Sequence, residues 1–294
     1  MFVEKRGKKH YLVHSYRVGD KVKRISRYLG SNLNQKKLEI LRKRAEELIK
    51  QQLKENILEF AFSDDELKYY QKLDKKIEIV HLDKQDWKKF TEKFTYNTNA
   101  IEGSNVAYPE VQRLLSHEEK PDSLDDRETL NVAEAVDYIR KTKEGFSLGL
   151  IKELHKICFK NTKSFAGNLR AVRVVVMDGN GKVVHEGVPP KEVKKMLLEL
   201  VDWYKTHKDK YPPLLLAAVV HNQFENIHPF QDGNGRVGRL LLNYVLLKHK
   251  YPPINILLKD RQIYYKTLQL FEKAGDVKPT LKFLITEFKK QYNG

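Results

Sequence analysis

The chain has 294 residues, with 55 Lys+Arg against 39 Asp+Glu and a formal charge of +16. Its 40% apolar and 10% aromatic content excludes a wholly disordered chain, and 15 Gly with 10 Pro exclude collagen-like and low-complexity classes. The lone Cys158 cannot form an internal disulfide, the first residues are charged, and no apolar run nears the roughly 18 residues that span a bilayer, so a cytoplasmic protein with no membrane partner is expected.

Residues 1–60 hold 16 Lys+Arg and 7 Asp+Glu, so more than half of the excess charge lies in about a fifth of the chain. This basic segment opens on two β-rich runs, 11–16 and 22–28, around Val18-Gly19-Asp20-Lys21, which predict a hairpin. Leu38, Leu41, Ala45, Leu48, Ile49, Leu53 and Ile57 then recur at helical spacing over about 35–60. Ser63-Asp64-Asp65 signals the cap of another helix. The expected division is an appendage over 1–62 and a body over 63–294.

The body predicts helices near 84–97, 109–117, 127–143, 147–160, 191–207, 212–226, 234–249, 261–274 and 278–291. One β-hairpin interrupts them, in which Val172–Met177 and Lys182–His185 flank the turn signal Asp178-Gly179-Asn180-Gly181. The fold class is therefore mainly α, with a small N-terminal β-hairpin and a long helix ahead of it.

Asp-Gly-Asn-Gly occurs again at 232–235, but there it leads from one helical pattern into the next. A glycine-rich loop feeding a helix N-terminus is an anion site, because unpaired N–H groups and the positive end of the dipole face the ligand. Gly233 and Gly235 let the backbone approach closely, with Asn234 between them. Arg236 and Arg239, three residues apart, share a helical face and can grip phosphates. Asp232 is a hard oxygen ligand suited to Mg2+, and His228 has the ordinary pKa range of a general base. Phe230 reads as an apolar anchor, and His221 as a buried helical histidine. No Walker A pattern is present.

His228-Pro229-Phe230-Gln231-Asp232-Gly233-Asn234-Gly235-Arg236-Val237-Gly238-Arg239 resembles the signature of Fic-domain (Fido) proteins at every specified position. Phe165–Arg170 and Tyr264-Tyr265 agree with it, and the resemblance covers roughly 80–290. It implies a Fic-type helical domain with a β-hairpin flap and a nucleotidyltransferase: a protein adenylyltransferase that moves AMP from ATP, with Mg2+ or Mn2+, to a Ser, Thr or Tyr hydroxyl of a protein target. His228 would be the base and Asp232 the metal ligand. Gly233, Asn234 and Gly235 would hold the α-phosphate, Arg236 the β-phosphate and Arg239 the γ-phosphate. The target would dock on the 172–185 hairpin, and Tyr265 would line the base pocket, where Glu272 stands in place of an asparagine found in some relatives. Thr98-Asn99-Ala100-Ile101-Glu102-Gly103, inside 95–104, resembles the inhibitory pattern of a subset of the family. There Glu102 would pair with Arg239 and repress transfer, and in some relatives it also serves AMP removal. A homodimer is compatible with the resemblance. Two alternatives stand beside this reading: a related enzyme using another nucleotide, and a nucleic-acid-binding protein acting through the basic N-terminal region.

Overall fold

A computed structural model describes residues 1–18, 21–55, 62, 64–74, 77, 79–177, 181 and 183–292.

 The turn residues Gly19 and Asp20, the turn residues Asp178, Gly179 and Asn180, the cap residue Ser63 and the end of the long-helix pattern over 56–60 fall outside them. The chain divides into two compact units, Met1–Leu73 and Asp74–Gly294.

The first unit is an antiparallel sheet and helices. Strands β1 (Phe2–Arg6), β2 (Lys9–Val18) and β3 (Lys21–Ser31) pair in chain order. The expected hairpin is thus a three-stranded sheet. β1 escapes a propensity reading because three of the five residues in Phe-Val-Glu-Lys-Arg are charged; an edge strand tolerates such residues, and cross-strand pairing holds it. Helix α1 (Gln35–Glu55) lays Ala45 and Ile49 against Leu12 and Leu29 to close a small core. Helix α2 spans Asp64–Asp74.

The second unit is helical: α3 (Lys84–Ile101), α4 (Tyr108–Leu115), α5 (Leu124–Lys141), α6 (Leu148–Phe159), α7 (Pro190–His207), α8 (Pro213–Ile227), α9 (Asn234–Lys248), α10 (Arg261–Ala274) and α11 (Lys278–Tyr292). A short hairpin, β4 (Val175–Met177) and β5 (Val183–Glu186), lies between α6 and α7 in the chain. Asp83 and Ser123 cap α3 and α5 through capping boxes, and the Ser123 cap starts α5 three residues before the expected 127. Pro213 at the first position of α8 supplies a preset φ where a missing N–H costs nothing. The centre of the unit is the pair α8 and α9, buried along nearly all their length and packed against each other. A helix apolar on all sides belongs in a core. No helix among the described residues is long and apolar enough to cross a membrane.

Candidate active site

The loop from α8 to α9 is built by two left-handed residues. His228 closes α8 with φ 51°, and Gly233 opens α9 with φ 77°. Glycine is required at 233, since a Cβ there would lie 2.1 Å from the Phe159 ring. Between them Phe230 is fully buried, and its ring stacks on His155 at 3.8 Å between centroids. Asn234 clasps Phe230 in both directions: Phe230 N–H donates to Oδ1 at 2.8 Å, and Nδ2 donates to the Phe230 carbonyl at 2.9 Å. The Asn234 side chain, expected at the α-phosphate, is therefore committed to shaping the loop, leaving its backbone N–H in the first turn of α9 for an anion.

His228 directs Nδ1 to the Glu225 carbonyl at 3.3 Å. A carbonyl only accepts, so Nδ1 carries the proton and Nε2 keeps a lone pair. Burial, with His185 near it, lowers the imidazole pKa to about 4, so it is neutral at pH 7. Two residues that sequence reasoning did not assign to the site hold this geometry. Arg170 donates to the carbonyls of His228 (2.6 Å), Val172 (2.8 Å) and Ile227 (3.3 Å), and also to that of Val188. His155 accepts from Gly167 N–H at 2.8 Å and donates from Nε2 to the Asp232 carbonyl at 3.1 Å. Arg170 lies in the Phe165–Arg170 stretch, which was the available signal; nothing in the sequence marked His155.

The two arginines differ. Arg236 is buried and paired with Glu128 of α5, and it lies over the Phe159 ring at 4.3 Å. Lys163 joins this group, 3.8 Å from Glu128 and 3.6 Å from Asp232. The carboxylate of Asp232 is half exposed and also accepts from Gly233 N–H at 2.6 Å. Arg239 donates from Nε to the Thr98 hydroxyl at 2.7 Å, and from Nη2 to the Thr98 carbonyl at 3.0 Å and to Glu102 at 2.7 Å. Its Nη1 has no partner among the described residues. Burial works against the Arg239 charge, but the carboxylate of Glu102 holds its pKa above the ordinary range. Glu102 is the C-cap of α3, where the negative end of the helix dipole disfavours a carboxylate. Arg239 offsets that penalty.

A cavity of about 460 Å³ lies beside the loop, lined by Glu102, His228, Gly235, Arg239 and Tyr265 among others. Tyr265 also donates to the Ile101 carbonyl at 3.0 Å, fixing the end of α3. Glu225 lines the same cavity, and burial raises its pKa to about 8, so it is largely protonated at pH 7. His221 is fully buried, as expected, with Nε2 2.9 Å from the Tyr264 hydroxyl. At the cavity wall Glu272 of α10 meets His185 of β5 at 3.0 Å, so its carboxylate is engaged with the hairpin. Thus His228, Glu102, Gly235, Arg239 and Tyr265 share one cavity, while Arg236 and Asp232 belong to the adjoining Glu128–Lys163 cluster.

Residues 145–246 match the family model described as the Fic/DOC family. The protein adenylyltransferase Fic of Nematostella vectensis is 29% identical over 198 residues, covering 64% of this chain and 45% of that protein. The protein of the same name in Drosophila ananassae is 29% identical over 196 residues, covering 64% of this chain and 38% of its own length. The chain spans less than half the length of these curated relatives. A crystal structure of a Fic-domain-containing signalling protein from Bacteroides thetaiotaomicron has a TM-score of 0.67 and 26% identity, covering 78% of this chain and 93% of that one.

Proposed function

The chain carries a Fic/DOC-family domain, and from that premise we propose that it is a protein adenylyltransferase, moving AMP from ATP to a protein hydroxyl. The observation that carries this reading is the neutral His228, with Nε2 unprotonated, lining one cavity with Gly235 and Arg239 at the start of α9. A triphosphate there would meet the first-turn N–H groups of α9 and the free Nη1 of Arg239. Nε2 of His228 takes the proton of the target hydroxyl, whose oxygen then bonds to the α-phosphorus. The bond from that phosphorus to the bridging oxygen breaks, and pyrophosphate leaves with the electron pair.

Among the described residues no group of three or more His, Cys, Asp or Glu forms a ready-made metal cage. The half-exposed Asp232 carboxylate fits Mg2+ all the same, because that ion commonly takes one or two protein carboxylates and completes its shell with phosphates and water. When bound it would neutralise charge on the phosphates. The hairpin β4–β5 exposes Val175, Val176, Met177 and Val183, a surface suited to pairing with an extended target segment. The Glu102–Arg239 pair acts as a brake, since a γ-phosphate seeking Arg239 meets a carboxylate already bound there.

The test uses ATP labelled at the α- or the γ-phosphate, with Mg2+ and the Glu102→Gly variant. Label should enter protein from the α position alone, and His228→Ala should abolish it. Entry from the γ position, or transfer that survives His228→Ala, overturns the reading. Parallel reactions with GTP, CTP and UTP identify an enzyme that uses another base.

A further inference from the structure

AMP transfer uses nothing of the first 60 residues, which carry more than half of the excess positive charge. The strand register sets Phe2, Glu4 and Arg6 of β1, Tyr11 and Val13 of β2, and Arg24 and Tyr28 of β3 on one face of the N-terminal sheet, where Val13 is buried. Leu12, Val3 and Ile25, on the other face, pack into the core with α1. Around the buried Val13, the outer face leaves Tyr28 56% exposed and Phe2 49%. These rings are interleaved with guanidinium groups. Arg6 lies 4.7 Å from the centroid of Tyr11, Arg24 lies 5.8 Å from that of Phe2, and the rings of Tyr11 and Tyr28 are 5.4 Å apart. Glu4 is shared by both arginines, 3.1 Å from Arg6 and 3.5 Å from Arg24, so one negative charge faces two positive ones.

We infer that this outer sheet face binds single-stranded nucleic acid. Charge complementarity calls for a polyanion, and the rings select which one. Unpaired bases offer flat faces to stack on exposed Tyr and Phe, while their phosphates meet the neighbouring arginines. In a duplex the bases are already stacked and their faces hidden, so only the charges would be used. An acidic peptide or an anionic membrane would likewise leave the rings without a matched partner.

The experiment is fluorescence anisotropy of the full untagged chain with labelled oligo-U RNA and oligo-T DNA of about 20 nucleotides. A duplex of equal length and vesicles containing phosphatidylserine serve as competitors. Single strands should bind with steep salt dependence and resist competition by duplex or vesicles. The RNA-to-DNA ratio then identifies the preferred sugar. Tyr28→Ala should weaken binding about tenfold and Tyr28→Phe should restore it. Arg6→Ala with Arg24→Ala should flatten the slope of log affinity against log salt by about 1 to 2. Circular dichroism and retained AMP transfer confirm that the variants fold. Lack of binding at low salt, equal preference for duplex or vesicles, or affinity indifferent to Tyr28→Ala would overturn the inference.

Discussion

In the first unit Arg42 of α1 is 42% exposed and lies 3.6 Å from Glu39, whereas in the second unit Arg239 is 2% exposed and bonded to Glu102 at 2.7 Å. The first unit has surface cations of this kind, and the second has three buried ones at the site, Arg170, Arg236 and Arg239. Water and salt screen the first kind, so each is worth little alone. Removal from water raises the stakes of the second kind, because an unpaired buried charge is costly. The difference teaches that the place of a charge, rather than the total of +16, decides what it does.

The sharpest way to break this comparison is Glu128→Ala, which strands Arg236 in the interior. Loss of one partner of a buried pair costs about 3–5 kcal/mol, which for a unit of this size lowers Tm by roughly 10 °C. Thermal unfolding followed by circular dichroism reads it. A shift no larger than that of a surface variant would erase the contrast.

Glu225→Gln comes next and adds a pH dependence. Burial raises the Glu225 pKa to about 8, against an ordinary value of about 4.5. The unfolded chain releases this proton above pH 4.5 while the folded chain keeps it, so the wild type loses stability as pH rises from there towards 8. Glutamine removes that loss. The variant should match the wild type near pH 4.5 and gain about 2 kcal/mol by pH 8, an order-of-magnitude figure from linkage. Denaturant titrations at several pH values check the sign.

Much of this was legible because strong local rules agree with the fold. The nine body helices follow apolar periodicity, and two of them carry capping boxes. The loop at 228–239 was legible because its glycines and charged residues are contiguous. Partners distant in sequence were not. Glu128 reaches Arg236 from 108 residues away and Arg170 reaches the His228 carbonyl from 58 away, and no periodicity encodes such pairings. The clasp between Asn234 and Phe230 was not legible for the same reason in miniature, since only the folded loop brings the amide back to Phe230. The strand β1 was missed because its pairing, rather than its own composition, makes it a strand.

Glu102→Gly tests the functional side of a buried charge. It frees Nη2 of Arg239, although the Thr98 carbonyl still accepts from that nitrogen. Self-modification with labelled ATP should rise about tenfold or more, which corresponds to about 1.4 kcal/mol. An unchanged rate in a folded variant would show that the ion pair has no bearing on transfer.

The smallest effect is expected at Arg42→Ala. Arg42 and Glu39 form an i,i+3 pair on the solvent side of α1, at 3.6 Å. Both side chains retain hydration and conformational freedom, so the pair gives up little when it is broken. The change in stability should stay below about 0.5 kcal/mol, and raising the salt concentration should shrink it further. The salt response makes the measurement informative even at that size. A cost above about 1 kcal/mol that persists in high salt would mean that Arg42 behaves as a buried cation does, and the contrast between wet and dry charges would then fail in the unit that carries half of the net positive charge in about a quarter of the chain.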